Sequence, residues 1–227
     1  MTITLYGAPL SPFVRKARLC LLEKGLNYVL EVVMPFTPPE WYLQLNPLGR
    51  IPALKDTELT LADSSVICQY LEEAYPDTAR LYGDTAAERA RIRWLEKYAD
   101  YELSPHTTFG IFRNRVLKPS SGHPCNEESV QAALDQKLPP HFDYLEDQLE
   151  QKAYFMGDQL SMADLAVACQ LINMEHGGEV VDANRWPALA SHYARIKTLA
   201  SLESILPSEQ RTTAKLLEMG KKSAPIS

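Results

Sequence analysis

The sequence predicts a mixed α/β first part followed by an all-helical remainder. Three observations carry that prediction. Strand-like runs closed by turn residues are confined to about the first 80 positions, apolar spacing of three and four residues takes over after Tyr82-Gly83-Asp84, and the composition is that of an ordinary globular chain. Of 227 residues, 45% are hydrophobic and 23% charged, which excludes disordered and fibrous classes and leaves length for two modest domains, expected at residues 1–80 and 86–220.

Thr2-Ile3-Thr4-Leu5-Tyr6 alternates with period two and is closed by Gly7-Ala8-Pro9, a short strand running into a loop. Ser11 before Pro12 has the form of an N-cap followed by proline at the first helical position, and Phe13, Val14, Ala17, Cys20 and Leu21 mark one apolar face up to Gly25. Tyr28 to Val33 is a second strand-like run. Pro35 to Pro39 reads as a loop leading to a helical turn around Trp41 to Leu45. Ala53-Leu54-Lys55 and Leu59-Thr60-Leu61 form a predicted hairpin, after which Ser64 caps a helix reaching Tyr75 and stopped by Pro76. The order is βαβ, then ββα.

The remainder reads as helices. Ala87, Ala90, Trp94, Tyr98 and Tyr101 predict a long amphipathic helix towards Leu117, Lys118 to Cys125 a polar loop, and Glu128 to Leu149 a second helix bent or broken at Pro139-Pro140, which lack amide hydrogens. Ser161-Met162-Ala163-Asp164 has the form of a capping box opening a run, Leu165 to Met174, that is apolar nearly all round and so belongs at the buried centre of the helical part. Trp186 to Leu199 and Leu202 to Met219 are the last two helices.

Composition also narrows function. Lys plus Arg total 23 against 29 Asp plus Glu, a net charge of -6 that argues against nucleic acid or an anionic membrane as partner, so any positive site must be local. No GxG and no GxxxxGK[ST] occurs, which removes nucleotide-binding fingerprints. The cysteines, Cys20, Cys68, Cys125 and Cys169, lie more than 40 residues apart, so there is no CxxC redox pair and no metal-ligand spacing. Thiols of this kind and the lack of a leader or long apolar run predict a cytoplasmic protein without metal.

The βαβ-ββα order followed by helices is that of a thioredoxin-like domain joined to a helical bundle. Leu5-Tyr6-Gly7, Ser11-Pro12-Phe13-Val14-Arg15, Asn46 through Leu54, Leu61-Ala62-Asp63-Ser64-Ser65 with Ile67, Tyr70 and Leu71, and Gly157-Asp158 through Asp164 narrow it further. Five motifs in register over residues 3 to 200 resemble the cytosolic glutathione transferases, in particular a bacterial serine-type member.

The resemblance implies that glutathione is the co-substrate, with the following roles. Ile51 binds its cysteinyl part through the backbone, turned by a cis bond to Pro52. Ser64 takes the γ-glutamyl carboxylate at the start of a helix and Asp63, where the family more often has Glu, faces the ammonium; simple helix capping by the same two residues is compatible with that role. Ser11 donates a hydrogen bond to the thiolate, aided by the positive end of the helix beginning at Pro12, with Tyr6 as the alternative donor. No cysteine stands at this point, which argues against mixed-disulfide chemistry, and Cys20 reads as core. Arg50, or else the loop Thr37 to Trp41, meets the glycyl carboxylate.

A small hydrophobic electrophile is expected between Leu10, Phe13 and the long helix at Tyr101, His106 and Phe109, with Phe112 near; an aromatic stripe at this spacing also describes a helix core. Asp100 is a candidate for reaching a neighbouring subunit, since a homodimer is implied. Two other functions stay open: a non-catalytic member acting through protein contacts, as the stringent starvation proteins do, and a glutathione-dependent isomerase or dehalogenase. The Ser-Ser-Cys of maleylacetoacetate isomerases is missing.

Overall fold

The computed structural model describes residues 3–57 and 59–223, so the expected strand position Thr2 lies outside the described residues. The chain divides into two compact units, Met1–Arg93 and Trp94–Ser227.

In the first unit four strands, β1 (Ile3–Tyr6), β2 (Tyr28–Glu31), β3 (Ala53–Asp56) and β4 (Leu59–Ala62), form a sheet of order β2-β1-β3-β4. β1 and β2 are parallel, and β1–β3 and β3–β4 are antiparallel, the thioredoxin-like arrangement. β2 was expected to reach Val33 but ends at Glu31, because its only partner ends there: Tyr6 pairs with Glu31, and the Gly7 amide donates to the Glu31 carbonyl at 2.9 Å as the chain turns away. Leu5 and Leu54 are fully buried.

α1 (Pro12–Glu23) starts at Ser11, with Pro12 in the first turn, and closes in a Schellman motif. Gly25, at φ 66°, donates to the Leu22 carbonyl and Leu26 to that of Leu21. α2 (Glu40–Leu45) is anchored through Tyr42, which joins Tyr6, Val33 and Ala53 in one buried cluster. α3 (Ser64–Ala74) differs from expectation at its first residue: Asp63, not Ser64, is the cap. The Asp63 carboxylate accepts from the Ser65 and Val66 amides at 2.9 and 3.2 Å, which leaves Ser64 inside the first turn. The linker after α3 is tied down by a buried ion pair, Lys24 Nζ to Glu72 Oε2 at 2.6 Å, with Glu72 also accepting from the Leu81 and Tyr82 amides.

α4 (Ala86–Tyr98) runs out of the first unit and is continued without a break to Ser120. The winding widens to i→i+5 bonds over Ala99–Leu103 and Thr107–Leu117, on either side of Pro105, whose missing amide hydrogen removes an ordinary i→i+4 bond. The same device corrects the expected break at Pro139-Pro140. The helical path runs from Glu127 to Leu149, with a wide turn over Ala133–Lys137 in which the Leu138 amide bonds the Ala133 carbonyl just before the prolines. The helix Met162–His176 is buried from Met162 through Met174, as its sequence predicts. Its capping box is present: Asp164 accepts from the Ser161 amide at 2.8 Å, the Ser161 hydroxyl at 2.7 Å, the Phe155 amide at 2.9 Å and His192 Nε2 at 2.8 Å. Pro187–Lys197 and Ala200–Ser223 complete the unit. Among the described residues no helix is long and apolar enough to cross a membrane, and no group of three or more His, Cys, Asp or Glu could hold a metal ion.

Candidate functional site

Three chain segments meet at one end of the sheet because of its register. Tyr6 pairs with Ala53, and Ala53 with Ala62, so the turn after β1, the segment before β3 and the turn after β4 leave from the same row. Neighbouring strands are about 4.8 Å apart, so the row places Ser11, Ile51-Pro52 and Asp63-Ser64 on segments issuing from three adjacent strands. Gly7 brings two of them into contact. At φ 153°, a Cβ there would meet Val14 Cγ2 at 2.4 Å and Ile51 Cβ at 3.3 Å, so only glycine lets the start of α1 pack against the segment before β3.

Ser11 is half-buried at the N-terminus of α1, its hydroxyl oxygen facing the Val14 amide at 3.4 Å. As acceptor of that long bond it keeps its own hydrogen for donation. The free amide hydrogens of the helix start give this position a partial positive charge, which favours an anion. Behind Ser11, Arg15 and Lys16 are buried, and Lys16 Nζ donates to the Ser65 hydroxyl at 3.0 Å, joining α1 to the first turn of α3.

The Ile51-Pro52 peptide is cis, as expected. The segment before it is fixed from both sides: the Arg50 carbonyl accepts from the Tyr42 hydroxyl at 2.8 Å and from Asn46 Nδ2 at 2.7 Å, while Asn46 Oδ1 accepts from the Leu48 amide at 3.0 Å. The Arg50 side chain is exposed. Asn46 therefore does more than punctuate a turn, and the Tyr42 and Asn46 contacts were not read from the sequence; the Asn-Pro-x-Gly spacing is the signal that a turn with a side-chain acceptor exists there.

At the third segment Asp63 takes φ 75° and is exposed, and Ser64 is 3% exposed. Asp63 Oδ1 is engaged in capping its own helix, so capping is one function of this residue whatever else it meets. Tyr6, the alternative thiol partner, packs edge-on against Trp41 and Tyr42 at 5.8 and 6.4 Å. Burial, then the charge of Glu31, push its hydroxyl pKa up. Cys20 is buried, in keeping with a core role.

The residues expected around an electrophile fall in two units. Leu10 and Phe13 are half-buried in the first. In the second, Tyr101 and Phe109 are 64% and 48% exposed, while Phe112 is buried against His176 and belongs to the core. Asp100 is largely buried. His106 stacks on His141 with ring centroids 5.8 Å apart, and His141 Nδ1 lies 2.7 Å from the Tyr98 hydroxyl. Burial first, then the neighbouring His141 and Lys137, lower the His106 pKa, which favours the neutral imidazole. Tyr98 and His141 were not singled out from sequence, since 43 residues separate them and nothing local links them.

Comparison with known proteins matches residues 5–79 to the model of the glutathione S-transferase N-terminal domain and residues 127–195 to that of the C-terminal domain. Glutathione S-transferase F10 of Arabidopsis thaliana is 32% identical over 174 residues, 73% of this chain and 78% of that protein. The stringent starvation protein A homolog of Coxiella burnetii is 29% identical over 217 residues, 96% of each. Among solved structures, a glutathione S-transferase from Rhodospirillum rubrum superposes with a TM-score of 0.83 at 31% identity, covering 90% of this chain and 92% of that one.

Proposed function

The chain belongs to the glutathione S-transferase family, and from that premise we propose that it is a serine-type member of the bacterial kind that binds glutathione, stabilises its thiolate at Ser11 and joins it to a small hydrophobic electrophile. The thiol proton leaves to solvent before attack. The sulfur lone pair then forms the carbon–sulfur bond, and the electrophile takes up a proton or releases its leaving group. The observation that carries this reading is the strand row Tyr6–Ala53–Ala62, from which the Ser11, Ile51-Pro52 and Asp63-Ser64 segments all issue.

Within the proposal, the Ile51 backbone meets the cysteinyl part, and Ser64 and Asp63 meet the γ-glutamyl end. Arg50, exposed on a segment whose carbonyl is held by Tyr42 and Asn46, meets the glycyl carboxylate. Ser11 is preferred to Tyr6 because its half-buried hydroxyl stands at the N-terminus of α1, whereas the Tyr6 ring is buried against Trp41 and Tyr42. Leu10 and Phe13, beside Ser11 in the first unit, are assigned to the electrophile, and the proposal includes a cytoplasmic homodimer acting in detoxification.

Calorimetric titration with glutathione tests the reading: saturable binding is expected, and none at millimolar concentration overturns it. A second reading, a member acting through protein contacts, is favoured by the full-length match to the stringent starvation protein homolog and by exposed Val32, Met34, Phe36 and Leu48 in the first unit. Failure of glutathione to bind would leave that reading standing.

A further inference from the structure

A second cleft lies in the first unit, between the C-terminal ends of α1 and α3, the linker after α3 and the start of α4. It has a volume of about 330 Å³ and is lined by four cationic side chains, Lys24, Arg80, Arg89 and Arg93, and two anionic ones, Glu72 and Glu73. In a chain of net charge -6 that is a local reversal of sign.

The six charges are not equivalent. Lys24 and Glu72 neutralise each other: the Lys24 ammonium also donates to Thr78 Oγ1 at 3.2 Å and to the Ala79 carbonyl at 2.8 Å, and Glu72 accepts linker amides, so this pair is a closed part of the framework. Arg80 pairs with Asp84 at the exposed rim, an arrangement of little energy that a competing anion can open. Glu73, Arg89 and Arg93 remain, and the two arginines outweigh the one carboxylate. The arginines stand one turn apart on α4, where like charges repel, and the hydrogen bond that Arg89 makes is to a neutral carbonyl, that of Asp84, at 2.9 Å.

Arg93 supplies the second, independent observation. Its Nε is shut off from solvent and has no acceptor within the protein, while its guanidinium carbon lies 5.8 Å from the ring centroid of the buried Tyr82. A nitrogen closed to water is closed to a ligand oxygen as well, so Nε belongs to the wall of the cleft and fixes where the rest of the guanidinium stands. The aromatic face orients the guanidinium plane, and with Nε closed off the Nη groups are the donors left for an oxyanion in the cleft.

We propose that this cleft is an anion site for phosphate, as the free ion or as the terminal group of a small phosphate monoester, held by the Arg93 guanidinium with Arg89 beside it and Arg80 closing the rim. The volume is at the lower end of small-molecule sites, which suits one phosphate group with a short organic remainder. The proposal is independent of glutathione, whose assigned residues lie elsewhere.

The test is calorimetric titration of the full chain with inorganic phosphate and, separately, with glycerol 3-phosphate, at constant ionic strength in chloride. Saturable binding of at least one of the two is expected, and a preference for the monoester would identify the organic remainder as part of the ligand. Arg93→Gln should weaken binding about tenfold or more, the effect of losing a charge-assisted hydrogen bond, and Arg93→Lys should recover part of it. Arg50→Gln should leave it unchanged. Melting curves in chloride establish that each variant is folded. No saturable binding of either probe to the native chain, or binding that survives Arg93→Gln and Arg89→Gln but is lost in Arg50→Gln, would overturn the proposal.

Discussion

Replacing Ser11 by alanine separates what this residue does for the fold from what it does for a bound thiol. For the fold, the hydroxyl accepts from the Val14 amide at 3.4 Å, at the long limit of an N–H···O bond, so the loss belongs at the weak end of N-cap effects, about 0.5–1 kcal/mol. For a chain of this length that lowers the melting temperature by about 1–4 °C and leaves the protein folded. For the thiol, a hydrogen bond donated to an anion contributes about 1.5–3 kcal/mol, and each pKa unit is 1.36 kcal/mol, so removing it raises the thiol pKa by about one to two units.

Free glutathione's thiol, at a pKa near 8.5, is about 3% ionised at pH 7; a bound value of about 6.5 makes roughly three quarters of it thiolate. Raising that value by about 1.5 units in Ser11→Ala returns the fraction to about one tenth. The conjugation rate at pH 7 then drops about eightfold, and the difference closes towards pH 9 as both forms ionise. Ultraviolet absorbance of the thiolate against pH, on the glutathione complex, reads the pKa directly. An unchanged value in Ser11→Ala with normal glutathione binding refutes the donor role and transfers it to Tyr6. Tyr6→Phe, in the same assay, is expected to leave the thiol pKa where it was.

Two further outcomes follow from buried polar contacts. Asp164→Ala removes an acceptor that is fully buried and takes four hydrogen bonds, including that from His192, so a loss of about 3–5 kcal/mol is expected in urea denaturation; a loss below about 1 kcal/mol would contradict the capping account. Tyr42, whose hydroxyl donates to the Arg50 carbonyl, has its pKa pushed up from 10.0 to about 12 by burial. With the folded value above the unfolded one, its contribution is whole below pH 10 and is lost as the pH rises through about 12. Tyr42→Phe should therefore flatten the alkaline decline of stability in that window, and a decline identical to the native one would refute the assignment.

The local devices were legible before any coordinates. Ser11-Pro12, Gly25 and the Ser161 to Asp164 box each act over a few residues, and the helix starts and stops follow them. Where reading failed, the cause was a partner further along the chain. Val32 and Val33 have strand propensity, yet β2 ends at Glu31 because β1 does; Pro139-Pro140 lack two amide hydrogens, yet the helix survives because a wider turn upstream takes up the mismatch. At Asp63-Ser64 both residues are good caps, and which one serves depends on where β4 ends.

The two proposed anion sites differ in the same way. Ser11 and Asp63-Ser64 could be found because helix starts announce themselves in sequence, and their meeting at one end of the sheet follows once the register is known. Arg89 and Arg93 are equally visible in the sequence, but a basic step on a helix is ordinarily a solvated face. What changes its meaning is packing across the linker: Tyr82 lies beneath the Arg93 guanidinium, the Lys24–Glu72 pair holds that tyrosine's segment in place, and both arginines line one cleft. A guanidinium fixed over an aromatic face and standing beside a second arginine in one cleft is an oriented donor set, which is why the cleft and not the charge count points to a bound oxyanion.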